Sequence, residues 1–338
     1  MHAEWINISI NTPTNTNDFN QLSDATVVSV LDDDASSSYG LLEIAGLDSA
    51  KFLQGQLTCN MQDITLGQSR LGGHCTHKGR MAASFRLLQT SENSYLFCLP
   101  KKTLATLQKS LSKYIVFSKA KLRDASEDYL QLGISGSQAA QKITAIFGKT
   151  PASAQEQHQN ENGTVICVDK GSLRFLCIIP AAHAKNVFDA LSTDAIITNC
   201  HYWHWLNIRD GIGEVREQTI EEFIPQMLNM QLLDGISFTK GCYTGQEIVA
   251  RMQYRGTLKK GMYRIAGSGV APLSNEPVFK NLQAQANQEQ AVGHIVMAEN
   301  ITVDQWEGLA VITHEAAQHM NLLPLPYAVT PTENPVQQ

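Results

Sequence analysis

Lys240-Gly241-Cys242-Tyr243-Thr244-Gly245-Gln246-Glu247, running directly into Ile248-Val249-Ala250-Arg251, is the stretch around which the rest of the chain is read. Thr244 and Glu247 stand at the S/T-x-x-E spacing of a capping box, in which hydroxyl and carboxylate satisfy backbone N–H groups reciprocally. The spacing predicts a helix that starts near Thr244. Cys242 then lies just outside the positive end of that helix with the Lys240 ammonium two residues away, an arrangement that favours thiolate over thiol. Gly241 and Gly245 add backbone freedom for a close approach to a bound group. The residues alone leave two readings open, a reactive thiol or a buried, inert cysteine beside a well-capped helix.

The same eight residues resemble the signature of the YgfZ family of folate-binding proteins, relatives of the T-protein aminomethyltransferase of the glycine cleavage system. Three further segments share the resemblance: Phe52-Leu53-Gln54-Gly55-Gln56-Leu57-Thr58, Lys78-Gly79-Arg80-Met81, and Phe223-Ile224-Pro225-Gln226-Met227-Leu228-Asn229 leading to Gly235-Ile236-Ser237-Phe238. Together they span roughly Leu41 to Lys260. The resemblance implies an α+β fold of three domains in a cloverleaf-like arrangement around a central opening. Two α+β lobes, residues 24–115 and 116–256, are expected to exchange segments, and a small C-terminal β-barrel is expected over 257–330. It further implies that tetrahydrofolate or a derivative binds in the opening. The expected role is assembly or maintenance of iron–sulfur clusters in particular enzymes, including tRNA-thiolating ones. The expected partners are therefore folate, iron–sulfur client enzymes and cluster-assembly proteins. Carried over position by position, Cys242 is the functional thiol and Lys240 tunes it. Gln226, Asn229, Tyr243, Gln246, Glu247, Arg251, Lys78 and Arg80 are expected to shape the folate pocket, and no metal ligand is expected.

The chain departs from the T-protein pattern where chemistry is concerned. The comparable T-protein loop supplies an aspartate essential to aminomethyl transfer, whereas Gly72-Gly73-His74-Cys75-Thr76-His77-Lys78-Gly79-Arg80 contains no carboxylate. The glutamate with which the T-protein holds the pterin has no counterpart near Gly171-Ser172-Leu173-Arg174-Phe175. A classical aminomethyltransferase is therefore not expected. A folate-dependent one-carbon transferase with altered chemistry stands as the alternative to an accessory protein, and an interaction scaffold with vestigial folate binding is a third class.

Composition bounds the rest. A chain of 338 residues suggests two or three domains, and 43% hydrophobic with 17% charged residues describes a globular protein. A formal net charge of -6 argues against strong nucleic-acid binding, which needs an excess of Lys and Arg. Seven cysteines form no C-x-x-C pair, and an odd number leaves one unpaired under any disulfide scheme. Reduced thiols, no signal peptide and no apolar run of about 18 residues point to a cytoplasmic protein without a membrane span.

Metal-capable side chains cluster in His74-Cys75-x-His77 and Cys200-His201-x-x-His204, but neither spacing is that of a structural zinc site. Gly211-Ile212-Gly213-Glu214-Val215-Arg216 puts Arg where a dinucleotide fingerprint needs its third glycine. Arg251, Arg255, Lys259, Lys260 and Arg264 concentrate positive charge after the signature, either as a solvated face or as a seat for carboxylates such as a folate tail, or a phosphate.

Local patterning predicts a loose lead-in up to Ser23 and strands over 26–31 and 39–44 joined by turn residues at 32–38. A short helix capped by Asp48 carries Phe52 and Leu53, a loop opens at Gly72 and Gly73, and a hairpin of 81–88 with 94–99 leads to an amphipathic helix over 101–114. A similar order returns with a strand at 130–134, a helix at 137–147, an exposed loop over 148–163, a hairpin of 164–168 with 173–179, and a helix at 181–191. A helix begins near Asn199. Short strands follow at 261–266, 293–298 and 309–313, and the tail from Thr330 is expected to be disordered.

Overall fold

The computed structural model describes residues 18–32, 37–169, 174–280 and 290–329. Most of the expected lead-in, part of the turn after Leu31, the Gly171–Leu173 stretch and the tail from Thr330 lie outside the described residues. Among the described residues the order is β1 (Val27–Val30), β2 (Tyr39–Ala45), α1 (Ser49–Gln54), β3 (Arg70–Cys75), β4 (Met81–Ser91), β5 (Ser94–Pro100), α2 (Lys101–Ser112), β6 (Lys121–Asp124) and β7 (Tyr129–Ser135). There follow α3 (Ala139–Phe147), β8 (Gln157–Asn160), β9 (Gly163–Asp169), β10 (Arg174–Pro180), α4 (Ala184–Ser192), β11 (Ile196–Thr198), α5 (Cys200–Arg209), α6 (Gln246–Tyr254), β12 (Lys260–Ser268), β13 (Pro277–Val278), β14 (Gly293–Asn300), β15 (Gln305–Thr313) and α7 (His314–Ala317).

The chain divides into two compact units with interleaved segments. The first comprises Met1–Ala50, Met61–Arg70 and Arg86–Trp203; the second comprises Lys51–Asn60, Leu71–Phe85 and His204–Gln338.

In the first unit a six-stranded sheet has the order β11-β1-β7-β10-β9-β8, with β1 parallel to β11 and the other neighbours antiparallel. Its core follows from two periodicities. Val28 and Val30, Leu130, Leu132 and Ile134, and Phe175, Cys177 and Ile179 alternate along their strands, which puts each set on one face. Ala139, Ile143 and Phe147 on α3, with Ala184, Val187, Phe188 and Leu191 on α4, supply the helical stripes that cover it. Each such side chain fully buried contributes about 1.5–3 kcal/mol. On β7, Gly133 is required by close approach, since a Cβ there would stand 2.2 Å from the Trp203 ring.

A second sheet in this unit runs from the Arg86–Ser91 half of β4 through β5 and β2 to β6. The 81–100 hairpin and the α2 helix are as expected, with Leu104, Leu107 and Leu111 buried. Strands β1 and β2, close in sequence, enter different sheets. Two local expectations are corrected, the loops at 148–163 and at Gly72 and Gly73. The polar 148–163 segment is not all exposed loop, because β8 pairs with β9 and Gln155 and Gln157 are buried. Asp48, just ahead of α1, accepts the Lys119 backbone N–H at 2.7 Å. Gly72 and Gly73 lie within strand β3, where a Cβ would stand 2.8 Å from Cys59 Sγ and 2.7 Å from Met81 Cε respectively.

In the second unit β12-β15-β14-β13 form an antiparallel sheet, the curled half-barrel of the C-terminal region. A register shift between Ile295 and Met297 marks a bulge, which bends the strand and lets Val296 and Met297 both enter one core cluster while Ile295 enters the other. The first cluster joins Met262, Leu309 and Val311 to Cys75, Met81, Val215, Phe223, Leu228 and Val249. The sequence motifs are thereby tied to the sheet by apolar packing.

Candidate functional site

The motif segments, far apart in sequence, meet inside the second unit. Thr58 is the buried polar clasp. Its hydroxyl donates to the Gly235 carbonyl at 2.6 Å and accepts the Gly73 N–H at 2.8 Å, while its carbonyl accepts the Ser237 N–H at 2.9 Å. The Thr76–Arg80 turn, with Gly79 at φ +71°, packs on the start of α6: a Cβ on Gly79 would touch Ile248, and one on Gly245 would stand 2.5 Å from the Thr76 carbonyl. Met81 is bracketed by Phe223 and Glu221, donating its N–H to the first and accepting from the second, each at 2.8 Å.

Lys240 is buried at 8% exposure, and its ammonium donates to the carbonyls of Leu57 at 2.9 Å and Cys59 at 2.7 Å. It also stands 5.2 Å from the centre of the Tyr243 ring. Burial pulls the Lys240 ammonium down to about 8, against a smaller opposing effect of Cys59. Lys240 is therefore a strut between the signature loop and the Gly55–Cys59 segment. Its ammonium donates to two backbone carbonyls.

The helix also begins differently from the sequence expectation. α6 starts at Gln246, its N-cap is Gly245 in the left-handed region at φ +84°, and no side chain caps it. Thr244 instead donates its backbone N–H to the Gly55 carbonyl at 3.1 Å and points its hydroxyl at Gly55 and Gln56. The capping box is thus overturned by tertiary packing: a side-chain N-cap needs extended backbone, and the close fit of Gly245 to the Thr76–Arg80 turn excludes it. Cys242 lies three residues ahead of that N-cap. It is exposed, whereas Cys59, Cys75, Cys98, Cys167, Cys177 and Cys200 are buried. Burial pushes the Cys75 thiol up to about 12 and the Cys177 thiol up as well, so these two stay protonated and unreactive.

The remaining expected site residues separate into two groups. Gln226 and Asn229 are buried and tie backbone together: Gln226 Nε2 donates to Val249 at 2.6 Å, and Asn229 Nδ2 donates to Met262 at 2.8 Å. Gln226 Oε1, also buried, has no hydrogen-bond partner among the described residues. Tyr243 is buried, and desolvation raises its hydroxyl pKa. Lys78, Arg80, Glu247 and Arg251 are exposed and Gln246 is half-buried. Arg80 donates to the Glu222 carbonyl. In the basic run after the signature, Arg264 is bound by Glu307 at 2.5 Å, which removes it from any anion seat, while Arg251, Arg255 and Lys259 stay exposed.

A buried histidine in each metal-capable sequence cluster has a close partner. His74 is buried with Nδ1 2.9 Å from the Gln56 carbonyl, and desolvation holds it neutral. His204 is likewise desolvated and contacts Glu299 at 2.9 Å. What sequence reasoning missed is the Gly55–Cys59 clasp, whose backbone carbonyls hold Lys240 and Thr244. Its signal was the Phe52–Thr58 motif itself, but carbonyls carry no sequence mark.

Comparisons with known proteins bear on the fold and the family. Residues 25–166 match the family model described as the GCVT N-terminal domain. The crystal structure of glycine cleavage system aminomethyltransferase T from Bartonella henselae superposes with a TM-score of 0.69 at 11% identity, covering 88% of this chain and 81% of that one, which establishes a shared fold. The tRNA-modifying protein YgfZ of Klebsiella pneumoniae is 35% identical over 231 residues, 68% of this chain and 70% of its own. That of Edwardsiella ictaluri is 32% identical over 305 residues, 86% of this chain and 91% of its own. With that identity sustained over nearly the whole of both chains, and with the motif segments assembled around Lys240 and Cys242, the chain belongs to the YgfZ family.

Proposed function

We propose that this chain is a cytoplasmic folate-binding accessory protein that supports iron–sulfur cluster assembly or repair in enzymes that include tRNA-thiolating ones. The observation that carries the reading is the contrast among its thiols. Six are buried, and Cys242 alone is exposed, on a loop held in place by Lys240 and Thr244. Such a presented sulfur suits contact with a protein partner or a cluster. The relatives named tRNA-modifying proteins support the same direction.

The residues present fit tetrahydrofolate. Exposed Lys78 and Arg251 are suited to the carboxylates of its glutamate tail, and the buried Gln226 Oε1, with no hydrogen-bond partner among the described residues, is an acceptor for a pterin N–H donor. When bound, the folate supplies a carrier for one-carbon units; the chain's own part is to hold it.

The test is complementation of cells lacking the protein with wild type or Cys242→Ala, reading cluster occupancy of a thiolating enzyme and thiolated nucleoside in tRNA. Loss of both with the variant, at unchanged protein level, is expected. Full restoration by Cys242→Ala would overturn the reading.

A further inference from the structure

The first unit concentrates positive charge in one stretch of an acidic chain. Residues 93–123 hold six lysines and one arginine and no Asp or Glu, a formal +7 within a net charge of -6, so the rest of the chain carries -13. Arg123 is answered by Glu43 and Asp128. Lys109, Lys113, Lys119 and Lys121 are exposed.

These lysines flank an apolar tip. After α2 the chain folds into a short helical turn, Ile115–Phe117. It is closed by the Tyr114 N–H on the Leu111 carbonyl at 3.1 Å and the Ser118 N–H on the Ile115 carbonyl at 2.8 Å. Leu104, Leu107 and Leu111 bury the apolar stripe of α2, but the turn that follows faces water: Phe117 is 99% exposed, Val116 72% and Tyr114 54%. Leu47 joins them at 73%. Its neighbour Asp48 donates its N–H to the Lys119 carbonyl at 3.3 Å and accepts the Lys119 N–H at 2.7 Å, which fixes the Leu47 loop to the turn. Exposed apolar side chains gathered in this way mark an interaction surface.

Charge and residue type decide what covers it. A two-fold contact with a second copy would set the lysines against their own counterparts. Protein interfaces are depleted in lysine, whereas anionic lipid headgroups attract it. Stacking of nucleic-acid bases needs ring faces, and Leu47 and Val116 offer none. Phenylalanine and aliphatic side chains at a tip, with a tyrosine and lysines beside them, match the layers of a membrane interface. Among the described residues no helix is long and apolar enough to cross a membrane, so the contact is with its surface.

We propose that Leu47 and residues 114–117 form a surface anchor for anionic phospholipid, with Val116 and Phe117 entering the acyl boundary and Lys113, Lys119 and Lys121 on the headgroups. So small an anchor holds reversibly. It does not depend on the folate or thiol readings.

The experiment is flotation of the full chain with vesicles of phosphatidylglycerol and phosphatidylcholine, against vesicles of phosphatidylcholine alone, at low and high sodium chloride. Wild type is expected to float with the anionic vesicles and to lose most of that binding in high salt or without phosphatidylglycerol. Phe117→Ser is expected to lower the partition coefficient about 10- to 100-fold. Its thermal unfolding should match wild type, because the side chain it removes is exposed. Lys119→Glu combined with Lys121→Glu is expected to lower partitioning at least about 10-fold. No flotation of wild type with anionic vesicles, or flotation unchanged in either variant, would overturn the anchor. So would two rival outcomes without vesicle binding: capture of polyuridylate that Phe117→Ser abolishes, which assigns the tip to nucleic acid, or a dimer in sedimentation velocity that Phe117→Ser dissociates, which assigns it to a second copy.

Discussion

Replacing Lys240 with Met tests the strut at its centre. The substitution removes two charge-assisted hydrogen bonds, to the Leu57 and Cys59 carbonyls, while keeping most of the apolar stem. Each such bond contributes about 1.5–3 kcal/mol net. Against this, the native state no longer has to desolvate an ammonium. The drop of the Lys240 pKa from 10.5 to about 8 measures that penalty. At about 1.4 kcal/mol per tenfold change in proton affinity it amounts to about 3 kcal/mol, and to about 2 kcal/mol after allowing for residual solvent screening. The net expectation at pH 7 is a loss of about 2 kcal/mol.

The pH dependence is sharper. Because the folded pKa of Lys240 lies below the unfolded one, the unfolded chain binds more protons between pH 8 and 10.5, and this group's contribution to stability rises with pH in that window. The variant lacks that rise. The wild-type advantage over Lys240→Met should therefore grow by about 1 kcal/mol per pH unit from pH 8 to pH 10. Parallel urea titrations followed by circular dichroism at pH 7, 8, 9 and 10 measure it, and taking the difference cancels the other titrating groups. A gap that stays constant or narrows would refute a buried, carbonyl-held ammonium.

A chromogenic aryl disulfide added to the native chain should consume one thiol rapidly and the rest only on unfolding, and Cys242→Ala should abolish the fast phase, since the other six are buried. Gly245→Ala should cost about 3 kcal/mol in chemical denaturation, combining a left-handed backbone at φ +84° with a Cβ 2.5 Å from the Thr76 carbonyl; a loss under about 1 kcal/mol would mean that the Thr76–Arg80 turn yields readily. With an aminomethylated lipoyl carrier and tetrahydrofolate, the chain should form methylene-tetrahydrofolate at least about 10²-fold more slowly than a T-protein control, because the 72–80 segment brings Lys78 and Arg80 and no acid to the turn. A rate within about tenfold of that control would favour the one-carbon transferase.

The sequence by itself determined a good deal, wherever information is local or dense. Period-two alternation on β7 and β10 and the apolar stripes of α2, α3 and α4 mark their elements, because strand and helix geometry put those residues on one face. An eight-residue run around Cys242, specific enough to name a family, also needs no coordinates. Tertiary structure alone decided how that run is used. The Thr244-x-x-Glu247 spacing is a valid cap signal for an isolated helix, yet a neighbouring turn occupies the space and sends the Thr244 hydroxyl to Gly55 and Gln56. Gly72 and Gly73 read as loop because glycine is usually free, and they prove to be strand because neighbouring side chains leave no room for a Cβ. Lys240 reads as a charge beside a thiol, but backbone carbonyls more than a hundred residues earlier claim it. Spacing along a chain reports neighbours in sequence; burial, orientation and the partners of a charge depend on segments that only the folded chain brings together.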